Sequence, residues 1–181
     1  MHPSQALEDL VHHVGRFPPE AFVFVREGLQ FAVEQTHGEE TEAHKTLYRF
    51  MGERGEEWSD LVAAYLARTL PEEIMEAIDD VGGCEKLNRH VSGRDLCWGL
   101  RDYAIRRWGM LARQVLESWS ISKTDDFGQI VFGFIDLKLM QKQSHDTQED
   151  FHDVFDFEEA FDEPFKDGVS GAYFHDGAGE D

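Results

Sequence analysis

The chain has little of what builds a secreted, membrane-bound or metal-clipped protein. Only two of its 181 residues are cysteine, Cys84 and Cys97, too few for a disulfide framework. No apolar run approaches ~18 residues, so no membrane-spanning helix and no membrane partner is expected. Met1-His2-Pro3-Ser4 lacks the basic and apolar regions of a secretory leader, and the expected compartment is the cytoplasm. Bases are scarce as well. Lys and Arg number 17 against 37 acids, a formal net charge of −20. That balance opposes nonspecific attachment to nucleic acid or to an anionic membrane.

Catalytic signatures are missing too. The chain has no His-Glu-x-x-His and no Gly-rich phosphate loop. Asp126-Phe127-Gly128 and Arg94-Asp95 look like protein-kinase fragments, but nothing else of that apparatus accompanies them. Asp125 and Asp126 read instead as first-turn acids favoured by a helix dipole. Cys84, His90 and Cys97 lack the close ligand pairs of a zinc site and a fourth ligand. His145, Asp146, Glu149, Asp150, His152 and Asp153 gather hard ligands, yet without EF-hand spacing, and read as an acidic turn. No catalytic residue, metal or cofactor is assigned.

What is present is a substantial apolar fraction, 41%, including 14 Phe and 4 Trp, enough for a real core. The apolar positions fall mostly at helical spacing. Pro18-Pro19 opens a helix through Ala21, Phe22, Val25, Leu29, Ala32 and Val33, with His37-Gly38 as its stop. Residues 39–57 are polar, with a short helix expected near Leu47–Met51. Trp58, Leu61, Val62, Tyr65 and Leu66 mark a further helix. Pro71 suits the first turn of another, carrying Ile74, Met75 and Ile78 up to Gly82-Gly83. Ser92 with Asp95 is close to a capping box and starts a helix through Leu96, Leu100, Tyr103, Ala104 and Trp108. Leu111, Val115, Leu116 and Trp119 follow as a shorter helix. Thr124-Asp125-Asp126 caps a third, whose Gly128 and Gly133 imply close packing against a neighbour. After Met140 a short strand, a turn at 144–150 and a return through 151–157 would make a β-hairpin.

The segment from Arg89 resembles an uncharacterised family of small bacterial proteins. The resemblance rests on Arg89-His90-Val91-Ser92-Gly93 with Leu96, on Gly99-Leu100-Arg101-Asp102-Tyr103-Ala104, and on Leu111-Ala112-Arg113 with Val115-Leu116 and Trp119. It continues in Thr124 through Phe132, in Asp150-Phe151 and in Asp156-Phe157 with Ala160-Phe161. Phe17 to Leu29 is similar to the family's opening, whereas 39–86 departs from it and reads as an insertion. The resemblance implies no activity and transfers no catalytic residue.

These observations predict a mainly α protein, a small helical domain of winged-helix-like design with a short C-terminal β-hairpin. Residues 1–38 form a helical segment packing on the core, 39–86 an acidic helical insertion, 87–165 the core with an acidic Phe-rich end, and 166–181 a mobile tail. One core is expected from Leu96, Leu100, Ala104, Leu111, Val115, Phe127, Ile130, Val131 and Phe134.

Charge is unevenly distributed. Residues 84–142 carry 10 bases and 7 acids, whereas 143–181 carry 13 acids and a single base, Lys166. Arg94, Arg101, Arg106, Arg107, Arg113, Lys123 and Lys138 thus form a candidate basic face. Phe151, Phe155, Phe157, Phe161 and Phe165, set among acids, form its acidic counterpart. Phe151 to Phe161 is expected to pack on the chain's own 90–140 region. The function expected is a helical protein-interaction or regulatory module with an unknown protein partner. The alternative is a nucleic-acid- or ribosome-associated protein using a winged-helix-like core, and a further alternative is an enzyme of unrecognised type.

Overall fold

A computed structural model describes residues 3–140, 142–143 and 145–166; the expected tail beyond Lys166 lies outside these residues. Among the described residues every regular element is helical, and none is long and apolar enough to cross a membrane. The chain forms two compact units, 37–90 and the remainder.

The larger unit contains α1 (Pro3–Val14), α2 (Pro19–His37), α6 (Gly93–Trp108), α7 (Ala112–Ser118), α8 (Thr124–Asp136) and α9 (Phe157–Lys166). The smaller contains α3 (Glu42–Arg54), α4 (Trp58–Leu66) and α5 (Glu72–Asp80). Short 3-10 turns occur at Cys84–Lys86, Gly109–Leu111 and Gln148–Phe151.

Small residues let the helices of the larger unit approach closely. Gly99 on α6 faces Ala32 on α2, and Gly28 on α2 faces Leu100 on α6, so a side chain at either glycine would collide with its neighbour. Gly133 on α8 is covered by Val14 of α1. Phe22, Phe24, Leu100, Leu116, Phe127, Ile130 and Phe161 fill the centre. Burying each such side chain contributes roughly 1.5–3 kcal/mol. α6 begins as its sequence dictates: Ser92 Oγ accepts from the Asp95 backbone N–H at 3.1 Å. At the start of α8 the Asp126 carboxylate reaches back to the backbone N–H groups of Ser122 and Lys123, at 2.8 and 3.2 Å.

The winged-helix and hairpin expectation is corrected here, since the described residues contain no strand. Local carboxylate caps take the backbone groups that a hairpin would need. Asp146 accepts from the Gln143 N–H at 2.7 Å, and Asp150 accepts from the Thr147 N–H at 2.6 Å. Phe151 then drops into a notch floored by Gly93 and Gly128. The expected core also needs one correction. Leu111 is 62% exposed, because the backbone turns at Gly109 (φ +55°) and the helix restarts one residue later, with Ala112 and Leu116 facing inward. Val115 is half-buried.

The smaller unit has its own core of Leu47, Leu61, Ile74, Ala77, Ile78 and Leu87, flanked by Phe50, Met51, Trp58 and Tyr65. Thr41 caps α3 reciprocally with His44: Thr41 N–H donates to His44 Nδ1 at 3.2 Å, and the His44 N–H donates to Thr41 Oγ1 at 3.4 Å. The unit's two ends meet. His37 Nε2 lies 2.9 Å from the His90 carbonyl oxygen, and the Arg89 guanidinium donates to the Gly38 carbonyl.

Candidate interaction surface

The cations named from sequence divide into those the fold consumes and those it leaves outside. Arg101 is buried on α6, where Nε donates to the Ala160 carbonyl at 2.9 Å and Nη1 lies 2.6 Å from the Asp102 carboxylate. Arg113, half-buried on α7, binds Asp162 of α9 at 2.7 Å. Arg94 and Lys138 are exposed. Lys123 is exposed at the entrance to α8.

Arg106 and Arg107 close α6 and remain at the surface. Arg106 sits over the Phe31 ring, 5.7 Å from its centroid. Arg107 sits 5.8 Å from Tyr103 and 5.3 Å from Trp108, and pairs with Glu27 of α2 at 2.6 Å. Arg106 makes no ion pair among the described residues. Trp108 packs on Phe24 and, edge to face, on Trp119. The rings therefore hold the guanidinium stems in place, each stacking contributing roughly 0.5–1 kcal/mol at an exposed site.

Immediately beyond Trp108 the chain exposes two large apolar residues, Met110 at 67% and Leu111 at 62%. The Gln114 amide of α7 reaches the turn that presents them and, assigned with its nitrogen toward it, donates to the Met110 and Leu111 carbonyls at 3.0 and 3.3 Å. The edge thus runs from Phe31 across Tyr103, Arg106, Arg107 and Trp108 to Met110 and Leu111. Sequence reasoning named its two arginines but missed Phe31, Glu27, Met110 and Leu111. The available signal was Gly109, which interrupts helical phase between Trp108 and Met110-Leu111.

The Phe-rich end occupies its own domain. Phe151, Phe157 and Phe161 are buried core residues, with Phe161 5.0 Å from Phe157. Phe155 is half-buried against Trp98 at 4.7 Å, and Phe165 is half-buried. The loop between them is fixed to α8. His152 Nδ1 lies 2.8 Å from the Asp125 carboxylate, and Val154 N–H donates to Thr124 Oγ1 at 3.1 Å. Asp125 holds the His152 imidazolium, raising its pKa above the ordinary value. Burial works to raise the Asp125 pKa, but the His152 and backbone hydrogen bonds prevail and lower it.

Three of the residues weighed above have structural places. Cys97 is buried on α6, and burial pushes its thiol pKa far up, which suppresses thiolate chemistry. Asp126 and Phe127 are a helix cap and a core ring. Comparison with family models, with curated proteins and with solved structures finds no match to this chain.

Proposed function

We propose that the protein is a protein-interaction module whose working surface is the edge from Arg106 to Leu111. One observation carries this reading: two guanidinium groups stacked on aromatic rings adjoin two large apolar side chains that the fold leaves exposed. Arg, Tyr and Trp are the residues that most often dominate binding energy at protein interfaces, and methionine adapts to varied partner shapes. A rigid aromatic base lowers the entropy cost of using long arginine side chains.

The test is site-specific photocrosslinking in the native cell. Met110→benzoylphenylalanine should give a discrete adduct of higher mass, lost when Arg106→Glu or Leu111→Ser is added. The same probe at Glu8, an exposed residue of α1, serves as the control. No discrete adduct from position 110, or the same adduct from position 8, would overturn the reading.

A further inference from the structure

Resting on the interaction surface above, we infer that its occupant is a short acidic segment of a partner protein, bearing large apolar side chains at helical spacing. The molecule contains one such complex already, formed within its own chain. α9 is acidic and Phe-bearing, and it lies against α6, α7 and the 109–111 turn. Its Phe157 and Phe161 enter the core, its Asp162 pairs with Arg113, and its Ala160 carbonyl takes the Arg101 Nε–H. The carboxylate meets Arg113 of α7, the backbone carbonyl meets Arg101 of α6, and Phe157 meets Phe127 of α8 at 5.8 Å between ring centroids.

The neighbouring strip offers the same ingredients, and among the described residues Met110 and Leu111 remain largely exposed there. Arg106 supplies a cation with no ion pair among the described residues, and Trp108, Met110 and Leu111 supply apolar contact. Arg107 is already neutralised by Glu27, so the edge prefers one or two carboxylates over a long run of negative charge.

Charge also selects against nucleic acid as occupant. A duplex brings one negative charge per ~1.7 Å of axis to a chain of net charge −20. A short segment with a few acids meets that field only locally, because charges beyond about 8 Å are screened at physiological salt. Close contacts at Arg106 therefore decide its binding.

The test uses the full chain and three labelled probes read by fluorescence anisotropy. These are a synthetic peptide of Asp, Glu, Leu and Phe with apolar residues three and four apart, its counterpart with Lys at every acid, and poly-uridylate RNA. The acidic peptide should bind at least about tenfold more tightly than the other two. Arg106→Glu and Met110→Ser/Leu111→Ser should each weaken it by about tenfold or more while the chain remains folded, melting falling only by the small loss of the Phe31 stacking in the first. Arg54→Glu in the 37–90 unit should leave it unaltered. Equal binding of the Lys counterpart, preference for RNA, or indifference to Arg106→Glu would overturn the inference. A crosslink from position 110 to a second copy, or to residues 167–181 of the same chain, would overturn it as well. Crosslinking to a partner without binding of the acidic peptide leaves the interaction surface standing and removes only the acidic partner.

Discussion

The Asp126 carboxylate, which has no exposed surface, accepts from the Arg16 guanidinium at 2.7 Å across 110 residues of sequence. Arg16 also donates to the Ser120 carbonyl at 3.2 Å. One acid therefore caps α8 and fastens the segment between α1 and α2 to it. Asp126→Ala removes the cap and leaves backbone donors without a partner, an expected cost of about 2–3 kcal/mol. Arg16 is partly exposed, so Arg16→Ala should cost only about 1 kcal/mol. Denaturant unfolding of the two variants checks the order, and equal losses would refute the assigned roles.

Two helix glycines should respond with opposite sign. A Cβ at Gly128 would stand 2.8 Å from Phe151 Cβ, on the rigid part of that side chain. Gly128→Ala should destabilise by about 1–3 kcal/mol through overpacking. Gly52, inside α3, has nothing within 4 Å of its Cβ position. Gly52→Ala should stabilise by up to about 1 kcal/mol. Thermal melts of both variants decide the matter.

Truncating Phe161, 1% exposed, should cost about 3–5 kcal/mol. Leu111→Ala, at a surface position, should change stability by less than about 0.5 kcal/mol. Comparable losses at the two sites would contradict the packing described.

Two histidines should titrate in opposite directions. In the smaller unit burial, then the nearby Arg89, lowers the His44 pKa. Its Nδ1 must be unprotonated to accept from Thr41 N–H, so its stabilisation is present above the usual value of 6.5 and is lost as pH falls through the depressed pKa. His152 is raised by its bond to Asp125 and the attendant charge attraction. Its contribution is complete below 6.5 and fades as pH rises through the elevated pKa. Asp125, with its lowered pKa, sets the acid limit, below the ordinary 3.8. NMR titration should place His44 below and His152 above 6.5, with Asp125→Asn returning His152 toward that value.

How far the sequence was legible varies by element. The start of α6 is written in Ser92 and Asp95, because a cap needs only neighbours three residues apart. Gly128 and Gly133 announced close packing without naming the partners, Phe151 and Val14. The first helix was read only as part of a helical segment over 1–38 and not as a separate element, although Leu7, Leu10, Val11 and Val14 fall at helical spacing. Arg101 shows the limit most clearly. It lies two turns from exposed Arg94, yet α9 covers it from 59 residues away. Which part of a helix face becomes a surface depends on what folds over it, and local pattern does not carry that information. The exposed edge at Met110 and Leu111 was hidden for a related reason, since Gly109 shifts the phase of the helix that follows.

The meeting of His37 with the His90 carbonyl bears on how such a gene can change. A unit that the chain enters and leaves through one narrow neck is a cassette. Its own two ends, His37 and His90, lie together, the arrangement in which a segment between two nearby points of a chain can lengthen or shorten. The edge at Arg106 and the core beneath it belong to the larger unit. Selection can therefore rework one without renegotiating the other.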